Sequence, residues 1–194
     1  MKVAAAGQVV VVAPAQGPAA ATADPPATLQ ELFAMNAGYV WNTLRRFGVA
    51  PCDLEDVTHD VFLQVHRHFA DYDAGRPIRP WLFAFAYRAA SQYRRQARRR
   101  RETPGEPDSV AHPGAPADEQ LMADDDRRLV AAALDRIALD PRAVFILYEI
   151  DGVIMSDIAT TLRIPVNTAY SRLRIARGQF ASAVKQLRRQ RGER

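Results

Sequence analysis

The sequence predicts an all-α protein of two small helical domains joined by a flexible linker. Apolar residues recur at spacings of three and four in several segments, the period of a helix face. No segment alternates apolar and polar residues as a half-buried strand does. Between the helical blocks lies a stretch with four prolines and two glycines, which denies regular structure.

Residues 1–28 are expected to be a disordered Ala/Pro-rich extension. Lys2, the run Val9 to Val12 and the Ala-rich sequence around Ala21 and Ala23 imitate an export signal. The apolar block is shorter than the ~7–15 residues such a signal needs, and Gly7, Gln8 and Pro14 interrupt its surroundings. The first helical domain spans 29–101. Leu54, Val57, Val61, Val65 and Phe69 line one helix face; Asp53 is placed to cap it, and Glu55 and Asp56 suit its first turn. Asp71 to Arg79 is expected to be a loop broken by Gly75 and Pro77. Trp81, Leu82, Phe85 and Ala89 predict a further helix, with Pro80 in its first turn. That helix is aromatic in its first half and basic in its second. Trp81, Phe83, Phe85, Tyr87 and Tyr93 cover most of its circumference, too much for a single core face. Exposed aromatic rings stack on unpaired bases while arginines track phosphates.

Residues 102–123 form the acidic linker, and 124–194 the second domain. Met155 to Leu162 predicts a short helix with Ser156 as cap and Ile158, Ala159 and Leu162 inward. Arg163-Ile164-Pro165 breaks it. A longer helix follows from Val166 to Gln190, with Ala169, Leu173, Ala176, Phe180, Val184 and Leu187 as its apolar stripe. Short helix, tight turn and longer basic helix is the helix-turn-helix pattern, although Arg163 stands where the turn usually has glycine. On a helical wheel Asn167, Ser171, Arg174 and Ile175 point outward, with Thr168 and Arg172 on one flank and Tyr170 and Arg177 on the other. Arg174 suits guanine, Asn167 adenine and Ile175 a thymine methyl; Arg172 and Arg177 suit phosphates.

Charge is segregated. Arg79 to Arg101 holds eight arginines and no acid, and Glu102 to Asp126 eight acids and no Lys or Arg. Arg163 to Arg194 holds nine bases against Glu193, and Asp53 to Asp73 six acids against Arg67. These blocks hide behind a net charge of +4. Two basic blocks on two helical modules point to a nucleic acid partner. With 194 residues, 48% hydrophobic and 25% charged, the composition excludes global disorder and a collagen-like fold. The single cysteine, Cys52, excludes an internal disulfide and fits a reducing cytoplasm. No apolar run approaches the ~20 residues of a membrane span, so no membrane insertion is expected.

Taken together, these segments resemble the extracytoplasmic-function (ECF) group of bacterial RNA polymerase sigma factors. Asp53-Leu-Glu-Asp-Val-Thr-His-Asp-Val-Phe62 resembles the acidic helix that docks on the polymerase clamp. Trp81-Leu82 and the arginine-rich helix resemble the segment that opens and holds the −10 element. Asp140-Pro-Arg-Ala-Val-Phe-Ile-Leu147 precedes the helix-turn-helix, and Asn167 to Arg177 resembles the −35 reading helix. The resemblance implies core-polymerase binding through Asp53, Glu55, Asp56 and Asp60. It implies −10 contacts from Arg79, Trp81, Tyr87, Arg88, Gln92, Arg94, Arg95 and Arg98. It implies −35 contacts from Asn167, Thr168, Tyr170, Ser171, Arg172, Arg174, Ile175 and Arg177. It further implies promoter DNA as duplex and single strand, an anti-sigma partner, no enzymatic activity and no cofactor. Arg88 and Gln92 stand where the family commonly has Asn and Asp, His59 where it often has Gln, and Tyr170 where a basic residue is usual. These departures bear on which promoter is read. Extended, the 22 linker residues reach about 70 Å, the rise of about 20 base pairs.

The alternatives are a stand-alone helix-turn-helix regulator and a hydrolase or metalloenzyme. His59 and His66 share a helical face, but no H-E-x-x-H and no cysteine pair accompanies them, and His68 diverges from both.

Overall fold

The computed structural model describes residues 28–73, 75–102, 121–190 and 192. The extension up to residue 27 and the linker between 103 and 120 lie outside the described residues. The α-helices are α1 (Leu29–Arg46), α2 (Leu54–Arg67), α3 (Ile78–Glu102), α4 (Leu121–Asp135), α5 (Leu139–Phe145), α6 (Met155–Leu162) and α7 (Val166–Gln190). Turns of 3-10 helix at Pro51–Asp53 and Phe69–Asp71 and a π turn at Ile146–Ile150 complete the regular structure. Among the described residues there is no strand.

Helix α1 begins with a capping box: the Thr28 hydroxyl accepts from Glu31 N–H and the Glu31 carboxylate accepts from Thr28 N–H, both at 3.2 Å. Arg45 and Arg46 in its last turn suit the negative end of the dipole. Asp53 holds the N-cap position of α2 but its side chain caps nothing; it accepts a 2.7 Å bond from the Tyr93 hydroxyl instead. The expected loop from Asp71 ends early, because Ile78, Arg79 and Pro80 already form the first turn of α3. Proline is tolerated there since the first turn's N–H groups have no helical acceptor.

Helices α1, α2 and α3 pack together over Leu32, Val40, Leu44, Phe47, Val61, Val65, Leu82 and Phe83, all buried. Each such side chain contributes roughly 1.5–3 kcal/mol of burial. Helices α4, α5 and α6 pack on α7. Its expected stripe faces them: Ala169, Leu173 and Ala176 are buried, and Phe180 lies 4.9 Å from the Phe145 ring. The two helix groups also meet, with α3 against α6 and α1 against α4, and one apolar cluster runs through both. Of the aromatic residues around α3, Tyr87 reaches the second group through Asp140, while Trp81, Phe83 and Tyr93 find Tyr72, Phe47 and Asp53 within the first. Phe83 and Phe85 are buried, while Trp81, Tyr87 and Tyr93 are half-buried on other faces. The five rings therefore do not share one core face: two are core and three are only partly covered.

Ser156 does not cap α6. Ile154 holds that position with no side-chain bond, and Ser156 lies inside the helix, where its carbonyl accepts from the Thr160 hydroxyl. Arg163 ends α6 in the left-handed conformation, φ 54° and ψ 49°. That is the backbone glycine adopts freely, so the chain makes the expected tight turn with a residue that pays about 1 kcal/mol for it. Ile164 N–H then bonds to Ala159 C=O at 3.0 Å and the chain enters α7 through Pro165.

Candidate functional site

Three surfaces carry the residues singled out from the sequence. The first is the solvent face of α2. Glu55, Asp56 and Asp60 are exposed, and no cation pairs with them among the described residues. His59 and Leu63 lie exposed on the same helix, the latter 42% accessible. Leu54, Val61 and Val65 hold the opposite face in the core, so the carboxylates point away from the protein by construction. Asp53 stands apart from them, half-buried against Tyr93. Burial and this bond raise the Tyr93 hydroxyl's pKa.

The second surface is α3. Trp81 sits in an aromatic cluster, 5.0 Å from the Tyr72 ring and 4.9 Å from Phe85. Arg88 lies over the outer face of Phe85 at 4.5 Å, and burial followed by the charge of Arg163 lowers its pKa. Arg79 lies over Tyr39 at 5.4 Å. Gln92, Arg95 and Arg98 are exposed further along, whereas Arg94 reaches the Phe47 carbonyl at 3.4 Å. Tyr87 is turned inward. Its hydroxyl donates to Asp140 at 2.6 Å, and burial with that bond pushes its pKa up to about 12. A groove of about 810 Å³ runs between this face and α6, lined by Tyr72, Trp81, Phe85 and Arg88 on one side and Thr160, Thr161 and Arg163 on the other.

The third surface is the outer face of α7. Asn167, Tyr170, Ser171, Arg174 and Ile175 are exposed, with Tyr170 57% and Ile175 45% accessible. Thr168 is half-buried. The two flanking arginines are engaged. Arg172 donates to Asp140 at 2.7 Å, and Arg177 pairs with Glu149 at 2.6 Å and lies 5.4 Å from the Tyr148 ring.

Sequence reasoning missed Asp140, Asp151 and Arg142 as individual residues. Asp140 joins Tyr87 to Arg172. Asp151 accepts from the Tyr39 hydroxyl at 2.7 Å and lies 3.6 Å from Arg46. Burial raises its pKa, and Tyr39, Arg46 and Arg79 offset that in part. Arg142 is wholly buried and spans both helix groups. Their signal was a charged residue at the edge of an apolar run, which says that a partner exists without saying which. His59, His66 and His68 are all exposed, and His68 lies 3.1 Å from Asp71.

Residues 32–100 match the family model for sigma-70 region 2. The chain is 32% identical over 161 residues to the ECF RNA polymerase sigma factor SigL of Mycobacterium tuberculosis, covering 82% of this chain and 89% of that one. It is 26% identical over 160 residues to the RNA polymerase sigma factor CnrH of Cupriavidus metallidurans, covering 78% and 84%. Two solved structures share the fold. They are CnrH in complex with the cytosolic domain of CnrY (TM-score 0.58, 22% identity, 81% and 88% covered) and the sigma factor RpoE in complex with the anti-sigma factor NepR from Bartonella quintana (TM-score 0.63, 20% identity, 80% and 96% covered). The acidic face of α2, the aromatic and basic helix α3 and the match over most of both chains agree: this chain belongs to the ECF family of RNA polymerase sigma factors, which bind RNA polymerase for promoter-specific transcription initiation.

Proposed function

We propose that the chain divides this work among its three surfaces, with 29–101 and 124–194 acting as two domains and 102–123 as the tether between them. Helix α2 docks on core polymerase through Asp56, Asp60 and Glu55. Helix α3 and the loop before it hold the displaced −10 strand. Helices α6 and α7 act as a helix-turn-helix, and α7 enters the major groove of the −35 duplex. The observation that carries this reading is a pair of unspent polar faces on separate helices: bare carboxylates on α2, and Asn167, Ser171 and Arg174 on α7. Among the described residues none of these side chains has a protein partner, so a complementary surface gains their interactions without first breaking bonds within the described fold.

The chemistry is binding. A base that leaves the stack costs a few kcal/mol, least where the strand is already open, and a protein that holds it shifts the duplex toward the open state by mass action. The half-buried rings of Tyr72 and Trp81 offer ring surface to an unpaired base, and Arg88, Arg95 and Arg98 the phosphate contacts. On α7, Arg174 is placed for a guanine and Asn167 for an adenine, each pairing supplying about 1–3 kcal/mol of discrimination. The protein catalyses no reaction, needs no cofactor and works in the cytoplasm beside the polymerase. No helix among the described residues is long and apolar enough to cross a membrane. An anti-sigma protein, the kind of partner that holds RpoE in its solved complex, is proposed to hold this chain as well.

Run-off transcription tests the proposal. The purified chain, core polymerase and a library of promoter fragments are expected to give discrete transcripts that vanish when Asp56 and Asp60 are both changed to Lys. No transcript and no association with core polymerase would leave a stand-alone regulator as the better account.

A further inference from the structure

We propose that Glu149 and Asp140 are positioning residues for promoter recognition. They fix the two flank arginines of α7 before DNA arrives, and so set the register in which the helix meets base edges. The inference rests on the reading of α7 as the −35 helix. It starts from a difference among the arginines in the first half of that helix. Arg174, on the outer face, is exposed and has no protein partner among the described residues. Arg172 and Arg177 are each tied to a carboxylate. At ~100° per residue these two lie about 140° apart around the axis, one on each side of the buried stripe.

Glu149, in the π turn, holds Arg177 from the protein side. Nε and Nη2 both donate to Oε1, at 2.7 and 2.6 Å. The Glu149 side chain is 16% exposed against 43% for Arg177, so the carboxylate lies beneath the guanidinium and not in front of it. The guanidinium also lies over the Tyr148 ring at 5.4 Å. One edge and one face are thus occupied, and Nη1 has no protein partner among the described residues. Asp140 acts in the same way on the other flank. Its Oδ2 accepts from Nη2 of Arg172 at 2.7 Å, and Nε and Nη1 of that arginine have no protein partner among the described residues. Both acids stand on the stretch from α5 to the π turn, which also packs against α7 through Phe145 and Phe180. One stretch of chain therefore supports the helix and both guanidiniums.

Each carboxylate has two effects of opposite sign. A tied guanidinium has already lost the rotamer freedom that a free arginine loses on meeting a phosphate. That gain is full only when both flanks seat at once, one on each strand bordering the major groove, and this seating fixes the register. The negative charge meanwhile cancels part of the attraction that any phosphate feels, on every duplex alike. The two acids thus lower sequence-independent affinity and raise discrimination, and Arg174 reads its base from the position that the flanks impose.

Holoenzyme assembled from core polymerase and the full chain tests this, with two probes. One is a duplex of arbitrary sequence, the other a pool of duplexes randomised across a −35 window. Glu149→Gln keeps the side chain's shape and removes its charge, and it is the cleaner variant because Asp140 also accepts from Tyr87 of α3. Glu149→Gln is expected to bind the arbitrary duplex about three- to tenfold more tightly at low salt, the effect of one carboxylate behind a phosphate contact. It is expected to select a broader set from the pool, so that preference for the parent's best sequence falls by at least that factor. Asp140→Asn is expected to move both readouts the same way. In an Arg177→Ala background, Glu149→Gln is expected to leave the selected set unchanged, because positioning passes through Arg177. A set that still broadens there overturns action through Arg177. A merely structural role would weaken binding to both probes alike; that result overturns the proposal, as does a variant set as narrow as the parent's. A parent that selects nothing from the pool is a different failure: it removes α7 as the reading helix, and this inference with it.

Discussion

Replacing Arg142 by Ala removes a guanidinium that is wholly buried yet fully employed. Nε and Nη2 donate to the Ile137 carbonyl at 3.1 and 2.8 Å, and Nη1 donates to the Asp135 carboxylate at 2.9 Å and to the Arg46 carbonyl at 3.2 Å. Burial lowers its pKa and Asp135 pulls it back up, so the group stays cationic. Alanine leaves the two carbonyls without their donor, at roughly 1–3 kcal/mol each. Asp135 adds little, since its side chain is 58% exposed and rehydrates. The emptied volume adds a cavity cost. The total is about 3–5 kcal/mol, in line with breaking a buried charge pair from one side. For a chain of this size each kcal/mol moves the melting temperature by about 2–4 °C, so the fall is roughly 6–20 °C by circular dichroism. Arg142→Lys keeps the charge but cannot fork between Ile137 and Arg46, and is expected to recover only part of the loss. A fall under about 3 °C for the alanine variant would refute the reasoning.

Arg174→Ala is expected to weaken binding about 10- to 100-fold at a promoter with its preferred −35 base and much less at a mutated one, by gel shift with holoenzyme. Equal loss on both would show that Arg174 touches phosphate. Arg177→Ala is expected to lower the salt slope of binding by about 1 with stability changed by less than about 1 kcal/mol, because its pair with Glu149 is partly exposed. Arg163→Gly relieves the left-handed turn and is expected to stabilise by about 0.5–1 kcal/mol, checked by urea unfolding; a destabilised variant would contradict the strain. Asp151 has its folded pKa raised by burial, so its contribution is most favourable below the unfolded carboxylate value and is lost as pH rises through the folded one. The melting temperature of Asp151→Asn minus that of the parent should therefore increase from acidic toward neutral pH, and a difference that shrinks would reverse the sign.

The faces of this protein were legible in its sequence because a face is a periodic property. Ala169, Leu173 and Ala176 had to be buried together once they recurred at helical spacing, and Asn167, Ser171 and Arg174 then had to be exposed. The same logic bared Glu55, Asp56 and Asp60 on α2. Caps were less legible. Asp53 and Ser156 have the right chemistry beside the right helices, but tertiary competition decided Asp53, whose carboxylate went to Tyr93, and a boundary shift of two residues put Ser156 inside α6.

What periodicity does not carry is the pairing of one face with another. Tyr87 meets Asp140 across 53 residues, Arg142 meets Arg46 across 96, and Tyr39 meets Asp151 across 112. None of these pairs has a local signature. The aromatic circumference of α3 shows the consequence: Phe83 meets Phe47, Trp81 meets Tyr72, Tyr93 meets Asp53 and Tyr87 meets Asp140, four partners from four separate segments. The acceptors of this interface were nonetheless marked. Asp140 and Asp151 bracket the apolar run that ends in the π turn, and Arg142 interrupts its start. Polar groups placed at such positions must find partners to be buried at little cost. Where such a partner is itself a DNA-binding group, as Arg172 is proposed to be, the bond that stabilises the free protein also sets how that group meets the promoter.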